Sequence, residues 1–149
     1  MTERAADLHD YPGQLIFPGG AVDHGDSGPE ATALREAQEE IGLDVDSIHV
    51  IGLLSPLALP DSGFLVDPVL AWSAHPIISS SINYAEVTTL HAVPLSDLAS
   101  RPNHQASLTD QHVAGQSAGP DLGTLGRMTQ TVIDQLLGIL PAVKPALLP

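Results

Sequence analysis

The sequence predicts an α/β domain, on three observations. Apolar runs of strand length stand at residues 15–17, 47–54, 64–72 and 86–93, bounded by Gly, Pro, Asp or Ser. A well-bounded amphipathic helix occupies residues 29–41, directly after a glycine turn and an acidic loop. A second helical stripe follows at residues 128–140. At 149 residues and 43% hydrophobic, the chain suits one domain with one core. That domain is expected over residues 1–149, with its core at about 13–140 and a tail at 141–149. Aromatics make up only 3%, so Leu, Ile, Val and Ala must fill the interior.

Taken in order, residues 1–13 show no strand pattern and read as a solvated leader. Leu15–Phe17 is a short apolar run ending in Pro18-Gly19-Gly20, where two glycines allow close backbone approach. In the first helix, Asp26 or Ser27 is the expected cap and Pro29 suits the first turn. Thr32–Ile41 has no breaker, and Gly42 is a natural stop. Ala33, Ala37 and Ile41, with Leu34 beside them, form the expected core stripe. Asp44-Val45-Asp46 is a turn, Ser47–Leu54 a strand and Pro56–Ser62 a loop. Pro68 interrupts Phe64–Trp72 and implies an edge or a bulge. Ser79–Ser81 is a loop tip, Glu86–Val93 a strand and Pro94–Leu98 a short helical turn. Residues 101–124 are polar and glycine-rich and read as a loop. Met128–Leu140 is a helix packed on the sheet, and the tail begins at Pro141.

The chemistry concentrates in residues 17–43. Glu36, Glu39 and Glu40 stand three and four residues apart, so they share one side of the helix, with Cβ atoms about 5–6 Å apart at the closest. Like charges at that spacing oppose helix formation, and a divalent cation reverses the sign. Carboxylate oxygens with water suit Mg²⁺ or Mn²⁺. The net charge is −13, from 5 basic and 18 acidic residues. Such a surface repels nucleic acid, and a polyphosphate ligand would need a bound metal to supply positive charge. There are no cysteines. None of the seven histidines has zinc-site spacing, and His91, His104 and His112 read as surface or loop residues. Neither a Gly-x-Ser-x-Gly elbow nor a P-loop occurs. No apolar segment is long enough to span a bilayer and no signal-peptide pattern opens the chain, so no membrane partner and a cytoplasmic location are expected.

These residues resemble a Nudix box, G-x5-E-x7-R-E-U-x-E-E-x-G-U, where U is a bulky apolar residue. Gly20 fills the first position and Arg35-Glu36-Ala37-Gln38-Glu39-Glu40-Ile41-Gly42-Leu43 the second half. Asp26 stands where the box has its first glutamate, and eight residues rather than seven separate it from Arg35. Phe17-Pro18-Gly19-Gly20, Asp23, Asp26 and Thr32-Ala33-Leu34-Arg35-Glu36-Ala37 are similar to the branch of the family that cleaves coenzyme A. So are Gly13-Gln14, Pro68-Val69, Ala85-Glu86-Val87 and Val93-Pro94-Leu95-Ser96-Asp97-Leu98. Residues 1–13 are also similar to that branch's basic stretch, an alternative to a solvated leader: Thr2, Arg4, Leu8 and Gly13 fit it, while His9 and Tyr11 stand where it has arginine and histidine.

The resemblance implies an α/β/α sandwich around a mixed β-sheet, here lacking its N-terminal strand or strands. An edge left open that way favours association, so the oligomeric state stays open, with a homodimer among the alternatives. The implied activity is metal-dependent hydrolysis of a diphosphate linkage. Coenzyme A or an acyl-CoA would give adenosine 3′,5′-bisphosphate and (acyl-)phosphopantetheine. Glu36, Glu39 and Glu40, with the Gly20 carbonyl, would hold one or two Mg²⁺ or Mn²⁺ ions. Glu39 is the first choice of general base and Glu86 the second. Arg35 would hold the glutamates by charge pairing. Asp23 and Asp26 would bind metal through water or cap the helix. Two alternatives stay open: another nucleoside diphosphate derivative such as ADP-ribose or NADH, and a truncated, non-catalytic Nudix binding module.

Overall fold

The structure, a computed structural model, describes residues 1–7, 12–59, 63–77, 81–99 and 124–147. Its strands are β1 (Thr2–Arg4), β2 (Gln14–Ile16), β3 (Ile48–Leu53), β4 (Leu57–Leu59), β5 (Phe64–Val66), β6 (Val69–Ser73), β7 (Val87–Leu90) and β8 (Thr124–Leu125). The helices are α1 (Pro29–Ile41), α2 (Leu95–Ala99) and α3 (Arg127–Leu147), with a 3-10 turn at Val45–Ser47. Four strands form a mixed sheet in the order β7-β1-β2-β8. β1 runs antiparallel to both β7 and β2, and β2 runs parallel to β8. β3 pairs with β6 and β4 with β5, both antiparallel. The expected α/β class is therefore the observed one.

Three expectations fail: Leu57–Leu59, within the expected loop 56–62, is a strand paired with β5, and the other two concern the ends of the chain. Residues 2–4 are not a solvated leader but an inner strand, flanked by β7 and β2. Three residues are too few to display a period. What fixes them is backbone pairing on both edges and Thr2, fully buried, whose hydroxyl donates to the Ile16 carbonyl at 3.3 Å. Pro141 does not end the last helix, whose backbone continues to Leu147. A proline inside a helix forfeits one backbone hydrogen bond, but its fixed φ is itself helical.

The remaining boundaries follow from local chemistry. The run 64–72 divides at Asp67-Pro68, because proline has no N–H to donate to a ladder. The Pro68 carbonyl instead accepts from the Leu54 amide at 2.9 Å. Gly42 ends α1 in the left-handed conformation at φ 62°, as its position predicted. Its N–H returns to the Gln38 carbonyl at 2.9 Å, and that of Leu43 to Ala37 at 3.3 Å. The start of α1 differs from expectation. Gly28 is the cap and no side chain caps it, because the Asp26 carboxylate is engaged elsewhere.

α1 packs against β3, β6 and β7. Ala37, Ile41 and Leu43 cluster there, with Ile48 and Leu90 against them. Leu15, Val87 and Ile133 are each about 1–2% exposed. Burying such a side chain stabilises the fold by roughly 1.5–3 kcal/mol as an upper figure. α3 is tied to β2 through the buried Thr129 hydroxyl, which donates to the Leu15 carbonyl at 3.1 Å. The expected loop 101–124 lies outside the described residues except for Thr124, which opens β8.

Candidate functional site

The site is built on the inner end of α1. At 3.6 residues per turn, Glu39 and Glu40 diverge by about 100° and straddle Glu36. The fold turns Glu40 inward beside Ala37 and Ile41, leaving it 4% exposed. Glu39 turns outward, its side chain 58% exposed. Glu36 lies between, over the glycine turn, so that a Cβ added to Gly20 would collide with its carboxyl group. The three glutamates thus share a helix side without sharing one environment. Among the described residues, no group of three His, Cys, Asp or Glu side chains meets the geometry of a metal site.

Glu40 is the unusual member. Burial pushes its pKa up to about 7, and the neighbouring charges of Glu86 and Glu36 act in the same direction. A hydrogen bond from the Gly19 N–H and the charge of Arg4 oppose the rise. Among the described residues its Oε2 is buried without a hydrogen-bond partner. An orphaned carboxylate oxygen is costly unless something pairs with it. Two further carboxylates close by make a cation the fitting partner, and hard oxygen donors suit Mg²⁺ or Mn²⁺.

Arg35 is consumed by carboxylates. Its Nε donates to Asp26 Oδ1 at 3.1 Å and its Nη2 to Asp26 Oδ2 at 3.0 Å, a bidentate pair. Nη1 reaches Glu36 Oε1 at 2.9 Å and Glu39 Oε2 at 3.1 Å. Nη2 also donates to the Ala21 carbonyl at 3.1 Å, which binds the acidic loop to the helix. Asp26 Oδ2 accepts further bonds, from the Thr32 hydroxyl and the Asp23 amide, each at 2.9 Å. Hydrogen bonds from Arg35, then the Asp23 backbone, hold the Asp26 carboxyl well below the usual carboxylate range against some desolvation. Asp26 in turn raises Arg35 above the ordinary guanidinium value. Asp23 itself is exposed, and its Oδ1 accepts from the His24 amide at 2.6 Å.

A scan against protein families matches the NUDIX domain over residues 1–107. The chain belongs to the Nudix family. It is 43% identical over 103 residues to an uncharacterized Nudix hydrolase NudL of Citrobacter koseri, covering 65% of this chain and 50% of the relative. A protein of the same description from Photorhabdus laumondii is 41% identical over 100 residues, covering 67% and 52%. The counterpart in Pectobacterium atrosepticum is 42% identical over 102 residues, covering 65% and 50%. The chain spans about half the length of these curated relatives.

Within this Nudix domain, Glu86 does not lie on a strand as expected; it ends the turn before β7. There it is close enough to act on the Glu40 charge. The turn hangs on Asn83, which sequence reasoning missed. Asparagine ahead of a strand, in Asn83-Tyr84-Ala85-Glu86, was the available signal, since its side chain readily bonds nearby backbone. His91 lies in the loop after β7, within the expected surface-or-loop reading, and is half-buried, with Nε2 3.5 Å from Glu3 Oε2. His104 and His112 lie outside the described residues. No helix among the described residues is long and apolar enough to cross a membrane.

Proposed function

We propose that this Nudix domain hydrolyses a diphosphate linkage with Mg²⁺ or Mn²⁺, and that its substrate is coenzyme A or an acyl-CoA. The observation that carries the reading is the buried, unpartnered Glu40 Oε2 beside Glu36 and Glu86, under a glycine turn. The family supports diphosphate chemistry. The coenzyme A assignment rests on the run Phe17–Gly20 with Asp23, Asp26 and Thr32–Ala37.

Glu36 and Glu40 would hold the cation. When bound, the ion supplies positive charge against the diphosphate and acidifies a water molecule. Gly19 and Gly20 present no side chain, so the diphosphate can approach the backbone there. Of the two candidate bases, Glu86 is preferred, because Arg35 engages Glu39 at 3.1 Å. Glu86 takes a proton from water as the water oxygen bonds to one phosphorus. The bridging P–O bond breaks, and the departing phosphate leaves with the electron pair. Arg35 is a positioning residue in this scheme, binding Asp26 and Glu36 together. The products would be adenosine 3′,5′-bisphosphate and (acyl-)phosphopantetheine.

The test is product analysis with purified protein, Mg²⁺ and a panel of coenzyme A, ADP-ribose, NADH and nucleoside triphosphates. Cleavage of coenzyme A above the others is expected. Cleavage of ADP-ribose or NADH alone would overturn the substrate assignment. Ligand binding without turnover of any would make the chain a binding module.

A further inference from the structure

Asn83 occupies a position that none of the proposed catalytic roles explains. Its backbone N–H donates to the Glu40 carbonyl at 2.9 Å. That carbonyl belongs to the last turn of α1, where backbone oxygens have no partner within the helix. The Asn83 carbonyl accepts from the amides of Glu86 at 3.0 Å and Val87 at 2.9 Å. Its side-chain Oδ1 accepts from the Ala85 amide at 3.2 Å, and its Nδ2 donates to Glu86 Oε1 at 3.1 Å. From the other side, the Glu86 carbonyl accepts from the Ala5 amide of the chain leaving β1, at 3.0 Å. One residue therefore joins the helix turn that carries Glu40 to the turn that carries Glu86, and also holds the Glu86 carboxylate.

We infer that Asn83 is a positioning residue that sets the Glu86 carboxylate against the Glu40 site. The inference rests on the proposed role of Glu86 as base. Glu86 is an exposed side chain with several free rotations, which it loses on being ordered. The backbone bonds fix where its Cα stands, and the Asn83 amide selects where its carboxylate points. A base displaced by about 1 Å costs on the order of 10²-fold in rate, so a bond directing it has a kinetic consequence.

The experiment is a double-mutant cycle on the full chain, read in kcat, KM and thermal stability, with Mn²⁺ binding to substrate-free protein as a separate measurement. Asn83→Asp retains an acceptor for the Ala85 amide and removes the donor to Glu86; Asn83→Ala removes both. Each is expected to lower kcat about tenfold, with KM and Mn²⁺ affinity within about twofold of the parent. Glu86→Gln should lower kcat about 100-fold, and adding Asn83→Ala to it should lower kcat no further. That absence of a further loss marks action through Glu86, which a merely structural role would not produce. Equal losses in both backgrounds, or undiminished kcat in Asn83→Asp while Glu86→Gln is impaired, would overturn the inference and leave the proposed activity standing. A parent protein that cleaves no diphosphate would remove both.

Discussion

Exchanging Glu40 for glutamine tests whether the site is strained before a cation arrives. The buried carboxyl is raised from 4.5 to about 7, so its ionised form is disfavoured in the folded protein. A raised acid stabilises the fold below its unfolded pKa and loses that contribution as pH rises. This group should therefore lower stability progressively between about pH 4.5 and 7. At roughly 1.4 kcal/mol per pH unit the ceiling is about 3 kcal/mol, and solvent screening leaves on the order of half of it. The glutamine side chain would carry no charge. With about 2–4 °C in Tm per kcal/mol, metal-free Glu40→Gln should melt about 3–6 °C higher than the parent at pH 8. At pH 5 the two should nearly coincide. Mn²⁺ should raise the Tm of the parent and leave the variant unmoved. Differential scanning calorimetry at pH 5, 6.5 and 8, with and without Mn²⁺, reads all three. A variant less stable than the parent at pH 8 without metal, or an unchanged pH slope, would refute the reasoning.

Other outcomes follow from the same geometry. Gly20→Ala would drive a methyl into the Glu36 carboxyl; the side chain can swing away, so the fold should persist while Mn²⁺ affinity falls about tenfold by titration. Gly42→Ala forces a left-handed residue to carry a Cβ and should cost about 1 kcal/mol in denaturant unfolding, with kcat unchanged. The Asp26 carboxyl is held far below 3.8, so its contribution to stability is present above that pH and lost as pH falls. Asp26→Asn should therefore flatten the acid side of the Tm–pH curve, measured between pH 2 and 5, and loosen the loop bound to Arg35.

The sequence revealed the helix because its signals are local: Pro29, an unbroken Thr32–Ile41 and Gly42 each act within a turn. It set Glu36 and Glu40 near the Gly19-Gly20 turn for the same reason, since that turn and the helix are neighbours along the chain. It did not separate Glu39 from Glu40, because which way α1 rolls is decided by Ala37, Ile41 and Leu43 packing against β3 and β7. The strand at Thr2–Arg4 stayed hidden because its identity lies in pairing with residues 16 and 90. The choice of Arg35 and Thr32 over the helix cap by Asp26 is likewise a contest between partners that a linear pattern does not rank.

β8 closes the open side of β2, and the residues just after it seat Thr129 and Ile133 in the interior. The sheet therefore cannot be completed until Thr124–Leu125 have left the ribosome, after all of its other strands. Long-range closure of this kind slows folding and lengthens the time for which an unpaired strand is available to a neighbour. A fragment cut at residue 107, where the family match ends, would hold that intermediate permanently and should self-associate, even with every glutamate of the Nudix box in place.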